Sequence, residues 1–116
     1  MSARPPAVEA GLQAHHRRAL DHFTDALWLE HGLARNTLAG YRSDLARFAA
    51  WLESRGRSLA AATAAELAAY LAEFSRSAKP ASQRRLLAAW RRYYRLLLAN
   101  REITEDPTLL LDSPMP

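Results

Sequence analysis

The feature that most narrows the fold is an apolar stripe in the second quarter of the chain. In NTLAGYRSDLARFAAWLESRG, Leu38, Tyr41, Leu45, Phe48 and Leu52 recur at intervals of 3, 4, 3 and 4 residues. An α-helix, at about 3.6 residues per turn, gathers such positions on one side. A strand, with its period of two, scatters them over both faces. One such helix is marginal alone and must bury its stripe against others.

The rest of the chain supplies the others. Leu20, Phe23 and Leu27, with Trp28 beside them, predict a first helix from about His16 to His31, stopped by Gly32. Asn36 is placed to cap the second helix and Gly56 to end it. Thr63 and Glu66 have capping-box spacing and announce a third helix with Leu67, Tyr70, Leu71 and Phe74 on one face. Pro80, tolerated in a first turn because it has no amide proton to leave unpaired, opens a fourth that runs to about Asn100. Its Leu86, Trp90, Tyr93, Tyr94 and Leu97 share a side. Asp106 is placed to cap a short turn in DPTLLL.

Scarce β-branched residues and only four glycines agree with an all-α chain. The expectation is a compact four-helix bundle with a short fifth C-terminal helical turn. With 116 residues there is room for one core. Residues 1–15, with Pro5, Pro6 and Gly11, read as a flexible N-terminal arm; 16–112 as the helical domain; 113–116 as the start of a linker. The absence of cysteine excludes disulfides and Cys-based metal sites. No apolar run reaches the roughly 18 residues of a membrane span. The N-terminus lacks a signal peptide's apolar core. The chain reads as cytoplasmic, with no membrane partner.

Charge is the second constraint. From Lys79 to Arg101 there are seven basic residues (Lys79, Arg84, Arg85, Arg91, Arg92, Arg95 and Arg101) and no acid. Nine basic and twelve acidic residues remain elsewhere, so a segment of +7 sits in a chain of net +4. On the fourth helix most of the arginines fall opposite the apolar side. Like charges at helical spacing repel by tenths of a kcal/mol per pair, roughly, so something must compensate. Acids on neighbouring helices would do so, and so would phosphate, which the planar guanidinium binds through two N–H groups. The second helix carries Ala39, Gly40, Ser43, Ala46, Arg47 and Ala50 away from its stripe. A mid-helix glycine costs about 1 kcal/mol against alanine. A slim face is either an alanine-rich surface of no consequence or one that lets the backbone approach a groove.

The quoted second-helix segment, DALWLEHGLARNTL before it, and ASQRRLLAAWRRYYRLLL and EDPTLLLDSPMP after it resemble the core-binding domain of tyrosine recombinases, of the Xer type. The likeness covers about residues 20 to 116 and is nearest the XerD-like branch, with XerC-like proteins and phage-type integrases sharing the pattern. It implies a four-helix, SAM-like domain forming half of a clamp on a double-stranded recombination site. Its partners would be that DNA, the protein's own C-terminal catalytic domain and other recombinase protomers. The groove-facing positions it implies are Thr37, Ala39, Gly40, Ser43 and Arg47 on the second helix. On the fourth they are Lys79, Ser82, Arg84 and Arg85, with Arg91 and Arg92 on the DNA backbone. Ala39 and Gly40 stand where relatives carry longer polar side chains, so phosphate contacts should dominate over base reading. The family's chemistry is strand exchange through a tyrosine nucleophile in a second domain, without metal or ATP. No cofactor and no catalytic residue are therefore expected in these 116 residues, which should bind DNA and not cut it.

Several residues invite other readings. Tyr41, Tyr70, Tyr93 and Tyr94 lie on or beside apolar stripes and read as core rather than nucleophiles. His15, His16 and His22 lack ligand partners at metal spacing and read as solvated. Trp51 leans outward and is the candidate exposed aromatic. A helix-turn-helix regulator would need a short turn and a short recognition helix, and no such pair is found. A protein-interaction bundle would instead pair the Arg84 to Arg95 face with acids.

Overall fold

Helix boundaries follow from where each orphan backbone group finds a partner. The computed structural model describes residues 7–111. Among them are five helices and no strand: α1 (Ala7–Ala10), α2 (Ala14–His31), α3 (Arg35–Glu53), α4 (Ala64–Ser75) and α5 (Pro80–Ala99). The four expected helices are α2 to α5, and the all-α class stands. The chain divides into two compact units, Met1–Ser58 and Leu59–Pro116.

In the first unit, Leu20, Phe23 and Leu27 of α2 and the whole 3-4-3-4 stripe of α3 are buried. Gly32 ends α2 in the left-handed region (φ 59°), its amide donating to Trp28 O at 3.2 Å. Gly56 does the same beyond α3 (φ 67°), where the Arg57 amide donates to Leu52 O at 2.9 Å and the Gly56 amide to Glu53 O at 3.0 Å. That is the Schellman pairing, which needs a residue tolerant of positive φ at this position. The second helix does not start at Asn36. The Leu38 amide already donates to Ala34 O at 3.0 Å, so Asn36 lies inside the first turn, exposed, and the cap position is Ala34, without a side-chain cap.

The stretch 7–15, read as part of a loose arm, is ordered by contacts remote in sequence; residues 1–6 lie outside the described residues. Glu9 of α1 is buried and accepts from Arg42 Nε of α3 at 2.9 Å. The same guanidinium reaches Asp21 Oδ1 at 2.7 Å and Thr24 Oγ1 at 3.2 Å. Leu12 is buried, and Arg17 donates to its carbonyl. At the head of α2 the Gln13 amide donates to the Glu53 carboxylate at 2.9 Å. His16 is buried rather than solvated, with Nδ1 2.5 Å from Glu53 Oε2.

In the second unit the capping box is present in both directions: the Glu66 amide donates to Thr63 Oγ1 at 3.1 Å and the Thr63 amide to Glu66 Oε1 at 2.9 Å. Pro80 occupies the first turn of α5. Leu67 of α4 is fully buried, as are Leu86, Trp90 and Tyr94 of α5. Tyr94 Oη donates to Leu59 O at 2.7 Å. α5 ends on a Schellman pairing with no glycine. Arg101 takes the left-handed position (φ 60°), and the Glu102 amide donates to Leu97 O at 2.9 Å. The Asp106 carboxylate then accepts from the Thr108 amide at 2.9 Å and hydroxyl at 2.7 Å. The segment expected as a fifth helical turn is closed by three-residue steps, Leu109 N to Asp106 O and Leu111 N to Thr108 O. The expected linker start, 113–116, lies outside the described residues.

Candidate nucleic-acid interface

α5 turns its apolar residues to one side because Leu86, Leu87, Ala89, Trp90, Tyr93, Tyr94 and Leu97, all buried, recur at helical spacing. At about 100° per residue that leaves Arg84, Arg91 and Arg95, with Arg85 and Arg92 alongside, on the opposite face. Arg84, Arg85 and Arg95 are exposed; Arg91 and Arg92 are half-buried. Lys79 stands exposed at the N-cap position and Ser82 is half-buried in the first turn. Arg85 and Arg92 each engage other groups of the protein. Arg91 Nη2 donates to Leu111 O at 3.3 Å. Among the described residues, neither Arg84 nor Arg95 has an ion-pair partner. No acidic residue occurs between Glu73 and Glu102, so the row has no compensating charge of its own.

α3, in the first unit, presents Thr37, Ala39 and Arg47 exposed and Gly40 and Ser43 half-buried. Ala39, Gly40, Ser43 and Arg47 lie on the side away from the stripe, Thr37 stands beside it in the first turn, and only Arg47 among the five is charged. Ala46, expected on this outward face, is fully buried. It sits at the edge of the stripe beside Leu45, where a methyl is small enough to be covered. The slim face is therefore real but narrower than the residue list implied.

The tryptophans exchange roles. Trp51 is half-buried, stacked on Phe48 with ring centroids 6.0 Å apart, and the Arg55 guanidinium lies 3.7 Å from its ring centroid. Trp28 is the exposed one, at 48% of its surface, with Arg35 5.9 Å from its ring centroid. The two border a shallow groove shared with Thr24, Asp25 and Leu38. Sequence reasoning missed it because Trp28 adjoins Leu27 on the buried stripe, and one residue of helix rotation carries it out to solvent.

The remaining candidates resolve as core or as structural pairs. Tyr41, Tyr93 and Tyr94 are buried, and Tyr70 packs against Phe74 and Trp90. Burial pushes the hydroxyls of Tyr93 and Tyr94 above the ordinary tyrosine range, further from ionisation, which suits packing and not attack on phosphorus. Among the described residues no group of His, Asp and Glu could hold a metal, and no helix is long and apolar enough to cross a membrane. Burial, reinforced by His15, holds the His16 imidazole below its usual range against the opposing hydrogen bond to Glu53. Burial raises Glu53, but hydrogen bonds from His16 and the Gln13 amide outweigh it and leave the carboxyl below its usual range.

What this geometry can do is hold a polyanion along a helix face with guanidinium groups. Among the described residues no acid, base and nucleophile converge on this face. Known proteins resemble this chain over most of its length. The tyrosine recombinase XerD of Pseudomonas aeruginosa is 44% identical to this chain over 96 residues, which is 82% of the chain and 32% of that protein. XerD of Yersinia pestis is 43% identical over 96 residues, again 82% of the chain and 32% of the relative. XerD of Xanthomonas campestris pv. campestris is 40% identical over 105 residues, 89% of the chain and 32% of the relative. The chain thus spans about a third of the length of these relatives. No solved structure matches it. Residues 20–101 match the family described as the phage integrase N-terminal SAM-like domain. That match covers α3, α4, α5 and most of α2, and the chain belongs to this family.

Proposed function

We propose that this chain is the DNA-gripping N-terminal part of a tyrosine recombinase, and that it holds double-stranded DNA during site-specific strand exchange. The observation that carries this is the arginine face of α5, with Arg84 and Arg95 exposed and without ion-pair partners among the described residues. A protein-interaction bundle would have met that face with acids. Phosphate meets it better, because each guanidinium offers two parallel N–H donors to two oxygens. Lys79, Ser82, Arg84, Arg85 and Arg92 take the DNA backbone from α5. Thr37, Ala39, Gly40, Ser43 and Arg47 take it from α3, where short side chains permit close approach. These contacts position the domain more than they read sequence.

In this reading the tyrosine nucleophile and its phosphate-stabilising partners belong to the part of the relatives that this chain does not align with. The 116 residues bind without cleaving and need no cofactor. Chromosome dimer resolution or DNA integration in the cytoplasm, with other protomers on the same site, is the process such a protein serves. Half a clamp keeps part of the contacts, so binding alone should be weak, with Kd roughly 10⁻⁴ to 10⁻⁶ M at physiological salt.

A salt titration of binding to a duplex of about 30 base pairs, some three helical turns, tests the proposal. Wild type should lose affinity steeply with salt, and Lys79→Ala/Arg84→Ala should flatten the slope by up to about two. Equal slopes for the two proteins would remove α5 from the interface.

A further inference from the structure

Arg91 stands apart from the exposed cations of its row. It is half-buried, and its Nη2 reaches across 20 positions of sequence to the carbonyl of Leu111 at 3.3 Å. Leu111 closes a turn that, among the described residues, is otherwise hydrogen-bonded within itself. The Leu111 amide donates to Thr108 O at 3.1 Å and the Leu109 amide to Asp106 O at 3.3 Å. Asp106 holds the amide and hydroxyl of Thr108, which is buried. The Arg91 bond therefore connects the last described turn of the chain to the arginine face of α5.

A guanidinium carries five N–H donors in a planar fork. One is committed to Leu111. Nε and Nη1 remain on a side chain that lies seven positions after Arg84 and four before Arg95, on the same helix face. We propose that Arg91 is a positioning residue that bridges two acceptors: one edge of its guanidinium holds the Leu111 carbonyl while another takes a phosphate oxygen of bound DNA. The proposal deepens, and rests on, the DNA-binding reading of α5. Its physical content is a coupling. Phosphate fixes the arginine rotamer, so the entropy of ordering that side chain is already lost when the turn docks on it. DNA then orders the turn 106–111, and an ordered turn favours DNA by the same factor. The direction in which the chain leaves at Leu111 is thereby tied to whether the α5 face is occupied.

The test follows the Leu109 and Leu111 amides by NMR solvent exchange in the 116-residue chain, free and saturated with the duplex at low salt. Wild type, Arg84→Ala, Arg91→Ala and Arg91→Lys are compared. In the free protein Arg91→Ala should speed both amides about three- to tenfold, the effect of losing one net hydrogen bond, and Arg84→Ala should not. Duplex should slow both amides in wild type and in Arg84→Ala, and leave Arg91→Ala unmoved. Arg91→Lys, which keeps the charge and loses the fork, should restore the salt slope of binding without restoring the DNA-induced slowing. Unchanged exchange in free Arg91→Ala overturns the tie. Binding that leaves the wild-type amides unmoved or faster overturns the bridge while sparing the DNA-binding reading. Failure of wild type to bind at all defeats both, and is recognised separately because no duplex signal appears for any of the four proteins.

Discussion

Replacing Arg42 with alanine removes the tie between α1 and α3, and the structure says which part of that tie matters. Among the described residues Arg42 has three side-chain partners: Glu9, Asp21 and Thr24. The Glu9 side chain is 5% exposed, whereas that of Asp21 is 66% exposed. A surface pair such as Arg42–Asp21 is worth about 0–1 kcal/mol, because water and salt screen it. The Glu9 carboxylate has little water to fall back on. Stripping the partner from a buried charge costs about 3–5 kcal/mol when nothing can relax. Here something can, since α1 has four residues and can swing out to rehydrate Glu9. That escape caps the penalty, so Arg42→Ala should cost about 2–3 kcal/mol, most of it through Glu9. The assay is urea denaturation of Glu9→Gln, Arg42→Ala and the double variant. The cycle should return a coupling of about 1–2 kcal/mol, and Asp21→Ala should cost under about 1 kcal/mol. A coupling below about 0.5 kcal/mol, within the scatter of independent sites, would refute the claim that this ion pair docks α1.

Three further outcomes follow from the packing. His16 and Glu53 both sit below their ordinary values of 6.5 and 4.5, so the folded chain binds fewer protons than the unfolded one as the medium acidifies. Stability should be fully present above 6.5, begin to fall below it as His16 is protonated in the unfolded state, and fall again below 4.5 with Glu53. Urea midpoints across that range check the sign, and Glu53→Gln should remove the lower step. Tyr94→Phe removes the buried 2.7 Å hydrogen bond to the Leu59 carbonyl and should cost about 1–2 kcal/mol by thermal or urea unfolding. Arg101→Gly relieves a left-handed arginine and should stabilise the chain by up to about 1 kcal/mol, less whatever entropy glycine adds to the unfolded state.

How far the fold could be read in advance depended on how local each cause was. Gly32, Gly56, Thr63 with Glu66, and Pro80 act on backbone groups within a few residues, and the structure places each in the role its chemistry dictates. The α3 stripe was equally legible because it repeats over five positions. What stayed hidden depends on distance. Glu9 is 33 positions from Arg42, and His16 is 37 from Glu53, and nothing in either neighbourhood announces its partner. Without them, residues 7–15 look like an arm held back by Pro5, Pro6 and Gly11. Asn36 was misplaced because its capping preference is a local tendency, and α3 extends past it to Arg35. Ala46 and Trp28 flank buried stripes, where about 100° of rotation per residue separates covered from exposed. The basic face of α5 was visible as a charge run. The Arg91 contact with Leu111 was not, because a run of arginines does not show which of them turns back onto the protein.

The central claim is that α5, with α3, grips DNA. The most direct test is an amide chemical-shift map of the 116-residue chain as a duplex is added at low salt. A DNA grip through these helices places the largest changes from Lys79, the N-cap of α5, to Arg92 and on α3 from Thr37 to Arg47. Changes confined to the exposed apolar residues Trp28, Leu29, Leu109 and Leu110, or no changes at all, would contradict it.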